Sequence, residues 1–408
     1  MTQNILISVF SLSFLIVAWH RFNLSLFFLF LLLPAYLIRF SIEPLPTTLL
    51  EVMIGIIIFI WIIRNWKLET TQQSQPLISS FKFLVSKSPS LSIAILLFLT
   101  AATISIFTSI NIRSALGEWK AFYIEPFLIF LIVVIEGTKN KEQNAKNNLL
   151  TNLQTYKLTN LIIFALILCG LATSILAIYQ HFTGWMVPWA FWANGASYRV
   201  TAWYGFPNGV GLFLAPLIPL AIFLFIQNFS VLQERNWKLE TGNWGRWLSL
   251  VSSFLFLVSS PFAILFAKST GGLIGAAAGI GAPLVLWKKT RWPTLAIGLA
   301  SLLVLALLPM NKPIKQELLM QDRSGQIRIN MWGETTELLR ANPLTGAGLA
   351  SYSKRIAPYH HPINGNDNIE IFHHPHNIFL TMWVNLGILG LIGFVWMIVW
   401  FYRVGLTE

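Results

Sequence analysis

The chain has 408 residues and a formal net charge of +12, because 28 Lys and Arg residues outnumber 16 Asp and Glu residues. Apolar residues make up 55 % of the chain and charged residues 11 %, with a mean hydropathy of +0.65, whereas about a quarter of a soluble domain is charged. This composition excludes a soluble enzyme, a disordered chain and a disulfide-stabilised secreted domain, and it predicts an all-α, polytopic transmembrane helix bundle.

Hydrophobic windows divide the chain into membrane spans, since a helix needs about 20 apolar residues to cross a hydrocarbon core ~30 Å thick. We predict about 11 or 12 spans, with candidate windows near residues 4–19, 24–38, 47–63, 91–110, 121–135, 161–180, 210–227, 248–267, 271–287, 293–309 and 377–402. The first two windows are short enough to form a tilted hairpin. The predicted division is 1–309 for transmembrane helices, 310–376 for an extracytoplasmic loop and 377–408 for the last span with a short tail.

The orientation follows from the distribution of Lys and Arg, which concentrate in short cytoplasmic loops. Fourteen of them fall in loops 64–90, 136–160, 228–247 and 288–292, and five in the alternate loops 39–46, 111–120, 181–209 and 268–270. The first set is therefore predicted to face the cytoplasm. The long loop and loop 181–209 are then predicted to lie outside, in a cell (inner or plasma) membrane.

The long loop is the segment with enough polar residues to build a site. It holds five of the seven histidines, at positions 360, 361, 373, 374 and 376. Between Ile327 and Leu339, apolar residues recur at helical spacing. Asn342 and Pro343 should end that helix. We predict an amphipathic helix on the outer membrane surface.

Two arginines are candidate ligands for an anion. Arg328 lies near the start of the predicted loop helix. It could anchor a lipid headgroup, or its planar donor fork could hold a phosphate of a lipid-linked substrate. Arg199 is the basic residue of loop 181–209, which also holds four tryptophans. Interfacial anchoring explains the tryptophans, and Arg199 remains a candidate anion ligand.

His376 falls where the long loop meets the last span. A helix N-terminus lowers the pKa of a histidine, which favours a neutral imidazole that can accept a proton. The alternative is an interfacial histidine with a polar partner. The five histidines could also bind a metal, but no Cys or carboxylate completes an established zinc spacing, so we predict no metal.

Transport is the alternative from another functional class. A transporter or lipid-carrier flippase should place ionisable residues in the middle of its spans. Glu51, Glu125 and Lys268 all lie near the ends of predicted spans, which counts against transport. The chain also contains no GxxxxGK[ST] loop, no GxGxxG after a strand and no GxSxG elbow.

Several motifs together resemble the O-antigen ligase/polymerase family. In chain order they are Arg199 followed by FPNGVGLFLAPLIPL, the small-residue span after Lys268, SGQIRINMW, NPLTGAGLASY and HPHNIFLTMWVNLGILG. The resemblance covers residues 199 to about 400 by motif, and the first half of the chain by hydropathy alone. One position departs from it: the family often has Ser-Arg-Gly before the small-residue span, where this chain has Ser269-Thr270-Gly271. Lys268 could substitute for the missing arginine.

The resemblance implies a metal-independent, inverting glycosyltransferase without a cofactor. Such an enzyme moves a glycan from an undecaprenyl-diphosphate carrier to a hydroxyl of a lipid, glycan or protein acceptor, as in lipopolysaccharide and cell-envelope biosynthesis. A repeat-unit polymerase is the alternative within the family. The implied partners are the donor, the acceptor and the lipid bilayer, and no nucleic acid.

The resemblance also assigns roles to individual residues. His376, Arg328 and Arg199 are the candidate catalytic residues, with His376 as the base. Substrate binding is expected from the two arginines together with Asn377, Arg323 and Trp332.

Overall fold

The fold is helical almost throughout. The computed structural model describes residues 2–42, 45–69, 85, 88–146, 158–193, 198–234, 244–309, 312–362 and 371–407. The α-helices are α1 Thr2–His20, α2 Phe22–Leu31, α3 Leu49–Glu69, α4 Pro89–Phe107, α5 Ile112–Trp119, α6 Glu125–Lys146, α7 Leu158–Thr183, α8 Ala190–Ala193, α9 Pro207–Leu214, α10 Leu217–Glu234, α11 Trp244–Phe266, α12 Thr270–Leu286, α13 Arg291–Leu307, α14 Pro313–Leu318, α15 Arg323–Ala341, α16 Tyr352–Ile356 and α17 Ile378–Thr407. The prediction of an all-α polytopic membrane bundle is confirmed.

Each predicted span coincides with one or more of these helices. Among the described residues, seven helical segments are long and apolar enough to cross a membrane: Gln3–His20, Pro89–Phe107, Ile112–Thr138, Leu158–Thr183, Pro207–Gln233, Trp244–Phe266 and Ile378–Thr407. Three apolar helices are shorter, namely α2, α12 and α13. The window 24–38 yields a short helix because α2 ends at Leu31 and a 3₁₀-helix with Pro34 near its start follows over Leu33–Leu37.

The structure contains elements that the sequence did not predict. Strands β1 (Arg39–Ile42) and β2 (Leu45–Thr48) form an antiparallel pair in which Arg39 is opposite Thr48. In addition, α5 and α6 are joined without a break by a π-helical turn at Lys120–Ile124. The loop predicted at 111–120 is therefore helical from Ile112, and Asn111 caps it by accepting the Ser114 amide at 3.1 Å.

This continuous helix corrects one argument made from the sequence. Glu125 was placed near the end of a span, but it lies inside the candidate span Ile112–Thr138. Glu51 does lie in the first turn of α3, and Lys268 lies between α11 and α12. Two of the three ionisable residues, Glu51 and Lys268, therefore still count against transport, and Glu125 does not.

The chain divides into two compact units, described separately here. Unit 1 comprises Met1–Ile60 and Val133–Leu308, and unit 2 comprises Trp61–Ile132 and Pro309–Glu408. Phe256, Ile167 and Leu224 are among the fully buried side chains of unit 1. They belong to α11, α7 and α10, so this core joins those three helices.

Small residues bring α9 and α12 together within unit 1. A Cβ added at Gly211 would lie 2.3 Å from Ser269 Oγ, and one added at Gly272 would lie 2.7 Å from the Gly211 Cα. Neither site could hold a larger residue unless a helix moved. The small residues of this segment thus serve close helix packing.

In unit 2 the last helix is interrupted at Gly387, whose φ of +71° suits glycine. The chain after α15 docks into this break. The Ala347 amide donates to the Val384 carbonyl at 2.6 Å, and the Ile388 amide donates to the Leu344 carbonyl at 3.2 Å. A Cβ at Gly387 would lie 2.0 Å from the Leu344 oxygen. The NPLTGAGL motif therefore supplies hydrogen bonds that the broken helix cannot make internally.

Candidate functional site

Arg199 is held in a fixed orientation within unit 1. Its Nε donates to the Ala267 carbonyl at 2.8 Å. Its Nη2 donates to the Lys268 carbonyl and to Asn208 Oδ1, both at 2.9 Å. The guanidinium also lies over the Trp192 ring, 5.1 Å from the centroid. These contacts orient a half-buried cation, as is needed where a planar donor must meet a phosphate.

The turn between α11 and α12 presents the carbonyls that Arg199 uses. Lys268 has a φ of +47°, and its side chain is exposed. Ser269 follows as the N-cap of α12, accepting the Gly272 amide at 3.4 Å. The start of a 17-residue helix carries partial positive charge. Arg199, Lys268 and this helix end thus form a cationic cluster, which we call the Arg199 cluster.

The predicted loop helix is present in unit 2 as α15. Asp322 caps it, accepting the Ser324 and Gly325 amides at 3.1 Å each. The helix ends at Ala341, directly before Asn342 and Pro343, as predicted.

The apolar side of α15 packs on protein. Leu338 and Leu339 lie in one buried cluster with Tyr352, Ile356 and Val384, and the Thr335 and Tyr352 hydroxyls are 2.7 Å apart. The sequence led us to expect a helix lying on the membrane surface. This face instead covers unit 2 and is not available to lipid.

Unit 2 brings His376, Arg328 and Trp332 together. The Trp332 indole Nε1 donates to the Pro375 carbonyl at 2.8 Å, which ties the residue before His376 to α15. The His376 ring is 4.5 Å from the His374 ring, centroid to centroid. Its backbone has a φ of +50°, a conformation in which histidine is enriched among non-glycine residues. Arg328 lies close enough for its charge to act on the His376 imidazole.

Electrostatics keep His376 neutral. Desolvation, the neighbouring His374 and the Arg328 charge, in that order of size, lower the pKa of His376 from 6.5 to about 4. Desolvation and His373 also lower the pKa of His374. The His376 ring nevertheless remains exposed. At neutral pH it is therefore an accessible, uncharged imidazole that can take up a proton.

The remaining predicted ligands have different surroundings. Asn377 caps α17, because its Oδ1 accepts the Phe379 amide at 3.0 Å and the Leu380 amide at 3.2 Å. Arg323 is exposed on the first turn of α15. Trp332 is half-buried and holds the loop through its indole. Asn377 and Trp332 thus have structural contacts that the sequence did not predict.

The histidines of the long loop form two separate groups. His361 donates its amide to the buried Glu334 carboxylate at 2.8 Å, and His360 Nδ1 lies 3.3 Å from the same carboxylate. His373, His374 and His376 instead follow one another before α17. Within the described ranges, no three His, Cys, Asp or Glu side chains are grouped to hold a metal ion.

Sequence reasoning missed two buried polar residues, one in each unit. Glu334 is 3 % exposed and joins α15 to residues 360 and 361. Gln180 is fully buried at the end of α7 and bonds to the segment that carries Arg199. Glu334 could have been found from the sequence, because it is a carboxylate within the apolar face of a predicted helix. Gln180 gives a weaker signal, since it is a lone Gln near the end of an apolar helix.

Comparison with known proteins agrees with the motifs. Residues 254–395 match the sequence model of the family described as O-antigen ligase. This region includes Arg328 and His376 but not Arg199. Comparisons with curated proteins and with solved structures gave no match. The match supports the predicted family: the chain is a multi-pass membrane protein whose residues 254–395 are similar to an O-antigen ligase domain, of the type found in polysaccharide biosynthesis.

Proposed function

We propose that the protein is a membrane glycosyltransferase that moves a glycan from undecaprenyl diphosphate to an acceptor hydroxyl. The observation that carries this proposal is the neutral, exposed His376, held at the start of the last helix within reach of the Arg328 charge. A neutral base beside a cation suits a reaction that releases a proton and an anion.

The proposed reaction is a single displacement. The acceptor oxygen attacks the anomeric carbon, and the bond from that carbon to the diphosphate oxygen breaks. The electron pair of the broken bond stays on undecaprenyl diphosphate, and the acceptor proton passes to a ring nitrogen of His376. One displacement inverts the configuration at the anomeric carbon.

Arginines are proposed to neutralise the leaving group without a metal. The diphosphate gains negative charge as the glycosidic bond breaks, so cations that bind it most tightly at that point accelerate the step. In unit 1, the Arg199 cluster offers an oriented guanidinium, an exposed lysine and a helix N-terminus. In unit 2, we assign the same type of role to Arg328. Arg323, Trp332 and Asn377 are assigned to substrate binding around it.

We propose that the reaction takes place on the extracytoplasmic face of the inner membrane. The charge asymmetry of the loops supports this orientation. Contacts within unit 1 agree with it, since Arg199 of loop 181–209 bonds to the turn at 267–268. In unit 2, the Ser109 hydroxyl donates to the Leu349 carbonyl at 2.8 Å. Each contact joins two segments that lie in, or directly beside, loops that the prediction places on the same side.

A transporter or flippase is the competing function. Glu118 and Glu125 within the span Ile112–Thr138 are the observation in its favour. Glu118 has a structural partner in Asn385, whose Nδ2 donates to its Oε1 at 3.3 Å. This hydrogen bond explains Glu118 as a contact between helices of unit 2.

The leaflet in which lipid-linked glycan accumulates separates these functions. In a strain lacking the protein, a transferase leaves undecaprenyl-linked glycan in the outer leaflet. A flippase leaves it in the inner leaflet, and that result would overturn the proposal. The length of the accumulated glycan separates the two family functions, because loss of a polymerase leaves single repeat units and loss of a ligase leaves chains.

A further inference from the structure

The backbone on both sides of Arg199 is attached to one residue of α7. Gln180 Oε1 accepts the Thr201 amide at 3.0 Å and the Ala202 amide at 2.8 Å. Its Nε2 donates to the Ala202 carbonyl at 2.9 Å. On the other side of Arg199, the Tyr198 hydroxyl donates to the Gln180 backbone carbonyl. One residue therefore holds positions 198, 201 and 202.

This arrangement requires a primary amide of the length of glutamine. The Gln180 side chain is fully buried and offers an acceptor and a donor at once. Both are used by a segment outside any regular element, whose amides have no helical partner. A hydrocarbon side chain would leave the Thr201 and Ala202 amides without partners and would remove one of the two hydrogen bonds to the Ala202 carbonyl.

The guanidinium of Arg199 is held by a different segment, the turn between α11 and α12. It bonds to the carbonyls of Ala267 and Lys268, and the Val200 amide bonds to the Phe266 carbonyl at 3.3 Å. Because hydrogen bonds weaken steeply when donor and acceptor shift or tilt, the guanidinium keeps its bonds only while its backbone stays in place.

We propose that Gln180 is a positioning residue that sets the orientation of the Arg199 guanidinium toward the donor diphosphate. This inference rests on the proposed function, in which Arg199 binds that diphosphate. Gln180 does not touch the substrate and acts through the segment 198–202.

The test is a double-mutant cycle in purified protein reconstituted in liposomes. The variants are Gln180→Leu, Arg199→Ala and the two combined, together with Gln180→Glu, which keeps an oxygen that accepts from the Thr201 and Ala202 amides and loses the donor. Gln227→Leu is the matched control, since Gln227 also lies in an apolar helix of unit 1 and bonds to Asn160 Nδ2 at 2.8 Å, away from Arg199. Transfer is measured per inserted molecule, with donor and acceptor varied separately.

We expect Gln180→Leu to raise the KM for the donor about tenfold or more and to leave the KM for the acceptor unchanged. A tenfold effect corresponds to about 1.4 kcal/mol, which is within the range for misplacing one charged hydrogen bond. Gln180→Glu should recover part of the loss, and Gln227→Leu should behave as wild type. In the Arg199→Ala background, Gln180→Leu should have no further effect on donor KM.

Three outcomes separate the claims. If Arg199→Ala itself leaves donor KM and turnover unchanged, the proposed role of Arg199 fails. If Arg199→Ala impairs donor use and Gln180→Leu impairs it equally with and without Arg199, the positioning role of Gln180 is wrong. If Gln180→Leu lowers only the amount of inserted protein, with normal kinetics per molecule, Gln180 is a packing residue and the inference is overturned.

Discussion

The proton-accepting role of His376 predicts a specific pH dependence of transfer. An ordinary histidine has a pKa of about 6.5, so at about pH 5.5 about 90 % of it is protonated and unable to act as a base. His376 has a pKa of about 4, so at about pH 5.5 only about 3 % of it is protonated. The sign is fixed by the mechanism: activity requires the neutral form and is lost only as the pH falls through the lowered pKa.

We expect kcat/KM to stay within about 20 % between pH 7 and pH 5.5, and to fall about tenfold per unit below about pH 4. The diphosphate diester of the donor has no group that titrates in this range. The anionic donor favours the protonated imidazole once it is bound, so the kcat profile should break at a higher pH than kcat/KM. Thermal unfolding measured at each pH corrects for loss of folded protein.

The assay is transfer in liposomes with purified donor and buffered outer medium. His376→Ala should reduce the rate about 10²- to 10⁴-fold, the usual range for general acid–base catalysis, and should remove the break in the profile. A tenfold drop of wild-type kcat/KM between pH 7 and pH 5.5 would refute the lowered pKa. A break that persists in His376→Ala would assign the proton to another group.

Four further predictions rest on the sequence and the structure together. Arg328→Lys keeps the charge and loses the planar donor fork, so turnover should fall at least tenfold. If Arg328 only anchored a lipid headgroup, turnover would not change. Steady-state kinetics at matched membrane levels distinguish the two roles. Gly387→Ala places a Cβ 2.0 Å from the Leu344 oxygen at a φ of +71°, which costs about 1–3 kcal/mol; a melting curve in detergent should shift down, and an unchanged curve would contradict the docking of residues 344–349 into the break. Chelators should leave transfer unchanged, and a loss that zinc or magnesium restores would contradict the arginine-only account. A cysteine at Ser353 should react with an impermeant thiol reagent in intact cells and one at Ser74 should not. The reverse pattern would show that the predicted orientation in the membrane is wrong.

The helices could be predicted because the membrane imposes a length and an apolar composition on each span. The window 161–180 became α7 (Leu158–Thr183), and 248–267 became α11 (Trp244–Phe266). The exception is instructive. Residues 111–120 carry Arg113, Glu118 and Lys120 and therefore read as a loop, but they are helical because Asn111 caps them and α6 continues them.

The candidate site was predictable only as far as residue chemistry and motif order allow. The position of His376 before the last helix and the end of α15 before Asn342 follow from local signals. Whether the apolar face of α15 packs on lipid or on protein does not follow from local signals, because both accept apolar surface. Only tertiary packing decides between them. The contacts of Gln180 with residues 201 and 202 also required the structure, since they join segments about twenty residues apart.

The central claim is that the glycosidic bond to the lipid diphosphate is broken and a new one to the acceptor is formed. The most direct measurement uses the purified protein in liposomes with undecaprenyl-diphosphate-linked glycan and an acceptor, and follows both products over time. The account predicts one molecule of undecaprenyl diphosphate released for each glycan joined to the acceptor, with the opposite configuration at the anomeric carbon. Movement of intact donor across the bilayer without release of undecaprenyl diphosphate would contradict it.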